Sequence, residues 1–357
     1  MNPNLNKKLD LIKQVGEEII TENDLNELLK NKKKIIAYDG FEPSGNIHIA
    51  QGLLRAINIG KFLDAGISFK MFIADWHAWL NNKFGGDLDK IKKCGDYFIE
   101  VWKSYGLDTG KISFVYSSDI VKNRDYWELV LAISRHSTIK RTLRCSQIMG
   151  RAESMDLSTA QLFYPCMQAA DIFYLNIDIA QLGMDQRKAN MLAREIAPKL
   201  GFKTPVAVHH HMLAGLLPPK QEENISAIEK KISQKMSKSN PMSAIFMTDD
   251  EAIVNKKIAK AYCPIKQAQD NPILEYLKYI VFEKQKNFRI ERPQKYGGNF
   301  EFENYEKLEK DYIEGIVHPA DLKPAVAKSL NKLLEPTRKY FKENTKAKKL
   351  MNEVLRN

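Results

Sequence analysis

Short apolar runs alternate with amphipathic helical patterns from residue 35 to about residue 209, and this alternation restricts the fold more than any other feature. Runs of strand length start at Ile35, Phe69 and Ile112, and each precedes a helical pattern. Two further runs lie at 175–180 and 205–209. Strands that are separated by crossover helices lie parallel in one sheet. The sequence therefore predicts an α/β domain built on a parallel sheet.

The flanking segments have helical patterns instead. Between residues 5 and 31, apolar side chains recur on one helical face, which predicts an N-terminal helical segment at 1–33. Beyond about residue 240, helical patterns follow one another with no strand-length run between them: 249–262, 271–282, 303–313 and 320–356. We therefore expect the α/β domain to occupy 34–245 and an all-helical domain to occupy 246–357.

Charge and cysteine usage narrow the class of protein. A formal net charge of +11, from 55 basic and 44 acidic residues, favours a polyanionic partner, either nucleic acid or an anionic membrane face. The four cysteines form no CxxC pair, which argues against a zinc site or a disulfide framework and is typical of a reducing compartment. There is neither a signal-peptide pattern nor an apolar run near ~18 residues. We expect a cytoplasmic protein with no membrane span.

A turn rich in small residues follows the first strand run and opens a helical pattern. It reads Pro43-Ser44-Gly45-Asn46-Ile47-His48-Ile49-Ala50. A glycine-containing turn allows a nucleotide to approach the backbone, and the N-terminus of the following helix then faces its phosphates. We expect His48 in the first helical turn, where it could donate a hydrogen bond to a phosphate oxygen. The alternative is an ordinary turn with a surface histidine.

A second motif, Lys235-Met236-Ser237-Lys238-Ser239, follows a polar loop at 218–234. Two lysines three residues apart can approach the same anion while hydroxyl groups hydrogen-bond to it. This arrangement suits a pyrophosphate leaving group, because a cation stabilises the growing charge more in the transition state than in the ground state. The alternative is a solvated basic loop.

The two motifs resemble the signature sequences of the class I aminoacyl-tRNA synthetases, and the resemblance extends over nearly the whole chain. Within that class the chain is most similar to the tyrosyl enzymes of archaeal and eukaryotic type. Four stretches carry this similarity: 37–45, 74–81, 164–171 and 183–188. The resemblance implies a Rossmann-type parallel-sheet catalytic domain, an all-helical anticodon-binding domain and a homodimer. It also implies that the dimer contact is formed by a connecting insertion, here about 118–165.

The resemblance implies a tyrosine pocket. Tyr38 and Asp171 match the pair that binds the phenolic hydroxyl, a group that both donates and accepts. The residues that match the rest of the pocket are Tyr164, Gln168, Gln186 and His77. Tyr164, Gln168 and Asp171 have the spacing of one helical face. The alternatives are a core tyrosine, a helix cap at Asp171 and a core histidine at His77.

The resemblance also implies an ATP site, with Mg²⁺ entering on the phosphates and no tightly bound metal. His48, Lys235 and Lys238 match the catalytic positions. The other matching positions are Gly40, Gly45, Gln51, Met212, Leu213, Met236, Ser237 and Ser239. The chain departs from the archaeal H-x-G-H signature, because Ala50 and Gln51 replace its glycine and second histidine. The eukaryotic cytoplasmic branch lacks both as well. Lys238 departs from the commoner KMSSS form.

Three consecutive histidines, His209 to His211, suggest a metal site on sequence alone. Adjacent residues of a strand point to opposite faces, so all three cannot easily bind one ion. The matching segment of the family borders the adenine and holds no metal. We therefore expect no metal site here.

Several residues are candidates for contact with tRNA(Tyr). Tyr296, His318 and Asp321 match blocks that read the anticodon, where aromatic rings stack on splayed bases and a carboxylate accepts from a base edge. Four basic residues in the insertion are candidates for phosphate contacts with the acceptor stem: Arg135, Lys140, Arg141 and Arg144. For both groups the alternative is a solvated surface, with Asp321 acting as a helix cap.

The implied activity is activation of L-tyrosine with ATP, followed by transfer of tyrosine to the 3′ end of tRNA(Tyr). Three alternatives remain at this point. A tryptophanyl enzyme has a similar fold, but an indole only donates and would use the phenol-binding pair incompletely. A noncatalytic RNA-binding relative could lose the signature lysines or the pocket, and this chain keeps both. A generic nucleotidyltransferase would need neither the helical domain nor the pocket.

Overall fold

A six-stranded sheet forms the centre of the N-terminal two-thirds of the chain. The computed structural model describes residues 3–149, 157–219, 234–238 and 240–356. The strands are β1 (Gly16–Ile20), β2 (Ile36–Phe41), β3 (Ser68–Ile73), β4 (Ile112–Tyr116), β5 (Ile179–Gly183) and β6 (Val206–His210). Their order in the sheet is β1-β6-β5-β2-β3-β4, and only β1 runs antiparallel to its neighbour. The predicted parallel α/β architecture is confirmed.

Helices connect and cover these strands. They are α1 (Pro3–Lys13), α2 (Glu22–Asn31), α3 (Arg55–Asp64), α4 (Asp75–Leu80), α5 (Leu88–Ser104), α6 (Ser117–Ile120), α7 (Arg124–Arg135), α8 (Ile139–Arg144), α9 (Thr159–Tyr174) and α10 (Arg187–Ile196). A π-helical turn, Ala50–Leu54, leads into α3. The described 3₁₀ turns of the chain are Lys83–Gly86, Thr109–Lys111, Ser146–Met149, Met184–Gln186, Ala197–Leu200, Pro241–Ser243 and Gln294–Tyr296.

Alternating side chains of the central strands enter two separate cores. On β3, Phe69 and Met71 join a core that contains residues of α1, α3 and α5, whereas Phe72 joins a second core with residues of α7, α9 and α10. This separation follows from the period of two along a strand, which sends successive side chains to opposite faces. Helices therefore cover both faces of the sheet, and its strand ends remain as the place for a cleft.

The prediction of one helical segment across 5–31 is wrong for its middle part. Residues 16–20 form β1, which pairs with the edge of β6 through Ile19 opposite Val208. Gly16 has no Cβ, which leaves space that Ile19 occupies: an added Cβ would lie 2.8 Å from Ile19 Cγ1. The side chain of Thr21 then caps α2 by accepting from Asp24 N at 3.0 Å. Pairing with a distant strand thus overrides a local helical pattern.

The region beyond residue 245 is mainly helical, as predicted. Its helices are α11 (Glu251–Lys260), α12 (Pro272–Tyr276), α13 (Phe282–Lys284), α14 (Tyr305–Glu314), α15 (Pro319–Glu343) and α16 (Thr345–Leu355), with a π-helical turn at Leu277–Val281. The expectation that it contains no strands is wrong. Strands β7 (Phe288–Ile290) and β8 (Phe300–Phe302) pair antiparallel, because alternation in this short segment buries Phe288, Ile290 and Phe302. The predicted domain boundaries stay predictions.

Among the described residues, no helix is both long enough and apolar enough to cross a bilayer.

Candidate active site

A cleft of about 770 Å³ opens at the carboxyl ends of β2, β5 and β6. From β2 the chain adds β3 and β4 on one side and then returns to add β5 and β6 on the other, so the strand order reverses between β2 and β5. Such a switch point is where open α/β sheets bind ligands. The predicted site residues that line the cleft are Tyr38, Gly40, His48, Gln51, His77, Tyr164, Gln168, Asp171, Gln186, Met212, Leu213, Lys235, Met236, Ser237 and Lys238. Ser239 and most of the polar loop, 220–233, lie outside the described residues.

Tyr38 and Asp171 form the buried end of this cleft. Tyr38 is 1% exposed, and its Oη has no hydrogen-bond partner in the part of the chain that the structure describes. Burial, together with the negative charge of Asp171, holds the pKa of Tyr38 well above its usual value, so the hydroxyl stays neutral and able to donate. A buried hydroxyl without a partner is costly, by about 1–3 kcal/mol. The pair is therefore open to a ligand that carries a hydroxyl group.

Tyr126 binds the carboxylate of Asp171, and His77 lies beside it. Tyr126 Oη donates to Asp171 Oδ1 at 2.8 Å, and His77 Nε2 lies 3.1 Å from Asp171 Oδ2. Tyr126 was not predicted as a site residue. It belongs to α7, where its spacing with Val130 and Ile133 indicates only a core position. Its hydroxyl could be assigned to the site only once the packing of α7 against α9 was known.

Helix α9 presents the predicted face to the cleft. Gln168 Nε2 donates to Gln186 Oε1 at 3.2 Å, and Gln186 Nε2 donates to Ile148 O at 3.0 Å. The ring of Tyr164 packs edge-on against His77, with ring centres 4.9 Å apart. These polar groups surround the space in front of Tyr38 and Asp171, where the amino and carboxylate groups of an amino acid could bind.

Glu42 is a cleft residue that sequence reasoning missed. Its Oε1 accepts from Asn81 Nδ2 at 2.9 Å and from Tyr164 Oη at 3.5 Å, and Lys83 Nζ lies 3.5 Å from its Oε2. Glu42 stands inside the matching stretch 37–45, but its position there gives no sign of these partners. It connects the turn after β2 to α4 and α9.

A buried ion pair lies beneath the cleft and was also missed. Arg55 lines the cleft and pairs with the carboxylate of Asp39, which is fully buried. Burial raises the pKa of Asp39 to about 7, although the guanidinium of Arg55 opposes this shift. Arg55 Nη1 also lies 3.3 Å from His210 Nδ1, so the pair joins β2 to β6.

The turn at 43–50 holds His48 in a different way from the one predicted. Helical structure begins at Ala50, so His48 precedes the helix and the expectation of a place in its first turn is wrong. It lies instead in an isolated bridge with Phe246, flanked by the hydrogen bond from Ile49 N to Ile245 O at 2.9 Å. Loss of solvent contact, and then the charge of Lys238, holds the pKa of His48 well below its usual value. His48 is therefore a neutral donor rather than a cation.

Gly45 shapes the same turn but does not line the cleft. Its φ of 108° lies in the region that favours glycine. Its N–H donates to the buried Cys94 Sγ at 3.3 Å, and Cys94 Sγ donates back to Gly45 O at 3.4 Å. An added Cβ would lie 3.9 Å from Lys238 Cδ. Gly45 therefore supports the turn beneath the signature lysine.

The two lysines of the signature motif reach the cleft from different sides. Lys238 Nζ donates to Ser44 Oγ at 3.0 Å and lies 5.0 Å from the ring centre of Phe98. Lys235 Nζ lies 3.7 Å from Asp185 Oδ2, at the end of β5. Burial lowers the pKa of Lys238 to about 8. Both cations therefore line the cleft beside the turn that carries His48.

The three consecutive histidines have separate partners. His209 Nδ1 contacts Glu18 Oε2 at 2.8 Å, whereas His210 contacts Arg55 and Gln181. His211 lies between Glu17 and Glu275 and stacks on Tyr279, with ring centres 4.1 Å apart. Across the described ranges, no group of three or more His, Cys, Asp or Glu side chains is arranged to hold a metal ion.

Two of the predicted anticodon-reading residues, His318 and Asp321, lie at the N-terminus of α15, and Tyr296 lies in the 3₁₀ turn between β7 and β8. Tyr296 is 60% exposed, and His318 caps α15 by accepting from Ala320 N at 3.1 Å. Arg292 Nη1 lies 3.7 Å from Asp321 Oδ2, and its guanidinium stacks on Phe300. The ring of Tyr296 is therefore accessible, whereas His318 and Asp321 already have partners within the chain.

The four basic residues of the insertion do not share one environment. Arg135, Lys140 and Arg144 are exposed. Arg141 instead forms an ion pair with Glu195, at 2.8 Å between Nη2 and Oε1. Three of the four are thus accessible to a phosphate backbone.

The chain is similar to proteins of one family along nearly its whole length. A family model described as class I tRNA synthetases (W and Y) matches residues 30–335. The chain is 48% identical to tyrosine–tRNA ligase 1, cytoplasmic, of Arabidopsis thaliana, over 99% of this chain and 89% of the relative. It is 44% identical to a tyrosine–tRNA ligase of Saccharolobus islandicus, over 98% of both chains.

A solved structure shares the fold. The tyrosyl-tRNA synthetase of Pyrococcus horikoshii, complexed with L-tyrosine, superimposes with a TM-score of 0.91 and 40% identity, covering 98% of this chain and 100% of that one. The cleft, its signature motifs and these similarities agree. The chain belongs to the class I aminoacyl-tRNA synthetases, in the tyrosyl group of archaeal and eukaryotic type.

Proposed function

We propose that the chain is a tyrosine–tRNA ligase, which activates L-tyrosine with ATP and transfers it to the 3′ end of tRNA(Tyr). The observation that carries this proposal is the unpaired Tyr38 hydroxyl beside Asp171 at the closed end of the cleft. A phenol satisfies both groups, since it accepts from Tyr38 and donates to the carboxylate. An indole would satisfy only the carboxylate, which disfavours tryptophan as the substrate.

In the first step, a carboxylate oxygen of tyrosine attacks the α-phosphorus of ATP, and pyrophosphate leaves as the new phosphorus–oxygen bond forms. No general base is needed because the carboxylate is already ionised. Neutral His48 donates a hydrogen bond, and Lys235 and Lys238 stabilise the growing negative charge. Mg²⁺ enters with ATP as part of the substrate.

In the second step, a ribose hydroxyl at the 3′ end of the tRNA attacks the carbonyl carbon of tyrosyl-adenylate, the bond from that carbon to the phosphate oxygen breaks, and AMP leaves with the hydroxyl proton. The protein contributes positioning and charge stabilisation rather than a covalent intermediate. The adenine and ribose are expected near Met212 and Leu213, which line the cleft together with Gly40 and Gln51.

The larger assembly is also part of this proposal. The insertion at 118–165 exposes Leu131 by 54% and Ile139 by 72%, which supports its role as the contact of a homodimer. The division into a catalytic domain at 34–245 and an anticodon-binding domain at 246–357 is proposed with it. A cytoplasmic location is proposed as well, and the name of the Arabidopsis relative supports it.

Replacing Tyr296 by alanine is expected to lower kcat/KM for tRNA(Tyr) by about 10-fold, because a stacked base loses an aromatic partner worth about 1–3 kcal/mol. Pyrophosphate exchange without tRNA should stay unchanged. Ile253→Ala, an exposed change elsewhere in the C-terminal region, serves as the control. An equal loss in both assays would contradict anticodon contact by Tyr296.

The pKa of Lys238 predicts a loss of activity at alkaline pH. With a pKa of about 8, the side chain is cationic below that pH and loses its charge as the pH rises. We expect kcat/KM for ATP, which reports ionisation of the free enzyme, to fall with an apparent pKa near 8. Lys238→Arg should move the fall to higher pH. A profile that is the same for both proteins would contradict this role.

Charging of tRNA tests the whole proposal. The purified protein is incubated with ATP, Mg²⁺, tRNA(Tyr) and one labelled amino acid at a time. We expect label from tyrosine to become attached to tRNA, with none from phenylalanine or tryptophan. Attachment of tryptophan, or no attachment from a protein that binds the same tRNA, would contradict the proposal.

A further inference from the structure

Residues 245–247 run along the His48 turn and pair with it. Met247 N donates to Ile47 O at 2.9 Å, and Ile49 N donates to Ile245 O at 2.9 Å. The backbone on both sides of His48 is therefore held by this segment, which follows shortly after the signature lysines.

A side-chain contact adds to these backbone bonds. Met247 is fully buried, and an added Cβ at Gly52 would lie only 2.3 Å from its Sδ. Met247 thus packs directly on the π-helical turn that follows His48, in space that Gly52 leaves free. A shift of this segment would displace the turn, because packed interiors transmit small movements.

Asp249 binds the backbone groups of Phe246, on the side of this segment that faces away from the His48 turn. Phe246 N donates to Asp249 Oδ2 at 2.9 Å, and Asp249 N donates to Phe246 O at 3.1 Å. Lys257 Nζ, from α11, donates to the same Oδ2 at 2.6 Å and lies 4.7 Å from the ring centre of Phe246. Lys257 is only 4% exposed. The carboxylate and the ammonium group are therefore a desolvated pair.

Helix α15 binds the backbone carbonyl of Asp249. Arg338 Nε donates to Asp249 O at 2.7 Å, and Arg338 Nη2 donates to Asn331 Oδ1 at 2.6 Å. Asn331 in turn donates to Asn255 Oδ1 on α11, at 2.9 Å. Helices α11 and α15 thus bind the turn at 246–249. Residues 245 and 247, in the same stretch of chain, form backbone hydrogen bonds with the His48 turn.

We infer that Lys257 is a positioning residue for adenylate formation, acting on His48 through Asp249 and Phe246. The inference rests on the proposed role of His48. Removing the ammonium group leaves Asp249 as a buried charge with fewer partners, so the carboxylate moves toward water and releases the N–H of Phe246. The C-terminal helices therefore set the geometry of the activation step even when no tRNA is bound.

The first test compares Lys257→Met with the unmodified protein in pyrophosphate exchange without tRNA. We expect kcat to fall by about 10-fold or more, since small displacements of a catalytic group have large effects on rate. The Kd for tyrosine should stay the same. Lys256→Met, an exposed change at the preceding position of α11, should have no effect. Lys257→Arg should recover most of the rate, because it keeps the charge.

A double-mutant cycle separates positioning from a merely structural role. If Lys257 acts through His48, Lys257→Met should cost little further activity in a His48→Asn background. The same fold loss in both backgrounds would overturn the inference, as would full activity of Lys257→Met. Asp249→Asn keeps the size of the side chain and should give the same pattern if Lys257→Met does not fold. No exchange by the unmodified protein would overturn the proposed function and this inference together.

Discussion

Lys235→Ala and Lys238→Ala are each expected to slow tyrosine-dependent pyrophosphate exchange by about 100-fold or more, the size of loss seen when a group that stabilises transition-state charge is removed. Both lysines line the cleft, where Lys238 Nζ contacts Ser44 and Lys235 Nζ lies near Asp185, and we propose that the nucleotide binds at this end. Their effect should be largest when charge develops on the leaving pyrophosphate. The Kd for tyrosine should change little, because Tyr38 and Asp171 lie at the other end.

Exchange rates and equilibrium binding of tyrosine are measured on the same preparations. Lys199→Ala, at an exposed lysine away from the cleft, is the matched control and should leave both quantities unchanged. If the Kd for tyrosine rises by the same factor as the rate falls, the lysines contribute to the fold of the site and not specifically to its transition state.

Asp171→Asn is expected to lower kcat/KM for tyrosine by about 10- to 100-fold, since hydrogen bonds to charged groups contribute about 1.5–3 kcal/mol. Asparagine keeps the size of the side chain and an oxygen that can accept from Tyr126, so the packing of α7 on α9 should survive. Phenylalanine has no hydroxyl group, so the substitution removes no hydrogen bond from it. The ratio of kcat/KM for tyrosine to kcat/KM for phenylalanine should therefore fall. Sites that bind a substrate hydroxyl reject analogues that lack it, and the tyrosyl enzymes are themselves the standard example of this rule.

Specificity is measured as the ratio of kcat/KM values for tyrosine and phenylalanine. Asp119→Asn, which removes an exposed carboxylate in α6, is the control. An unchanged ratio in Asp171→Asn, from a protein with normal thermal stability, would show that this carboxylate does not bind the phenol.

Local sequence patterns were sufficient to predict many of the residues that line the cleft. Tyr164, Gln168 and Asp171 recur at helical spacing, and α9 presents all three to the cleft. The segment that ends β2 and follows it carries Gly40 and His48 close together in the sequence, and both line the cleft. Where function depends on one helix face or one turn, sequence spacing determines the geometry.

Distant pairings could not be predicted in this way. Strand β1 forms because the edge of β6 accepts it, although its residues also fit a helical pattern. Tyr126 reaches Asp171 from 45 positions away, and Phe246 reaches His48 across nearly 200. These contacts depend on how separate elements pack, which periodicity along the chain does not encode.

The His48 turn illustrates the difference most clearly. Its residues indicate phosphate binding, and the sequence predicts a place in a helix for His48. Helical residues begin at Ala50, and the first helical bonds run from Gln51 N and Gly52 N to His48 O. Residues 47 and 49 form backbone hydrogen bonds with residues 247 and 245 instead, so the backbone at His48 is held by the helix on one side and by the long-range bridge on the other.

We propose that one cleft joins tyrosine-specific recognition to adenylate formation. ATP–pyrophosphate exchange with the purified protein tests this most directly, without tRNA and in the presence of tyrosine, tryptophan or phenylalanine. We predict exchange with tyrosine alone. Exchange that depends on tryptophan, or no exchange with any of the three from a folded protein that binds tRNA, would contradict the claim.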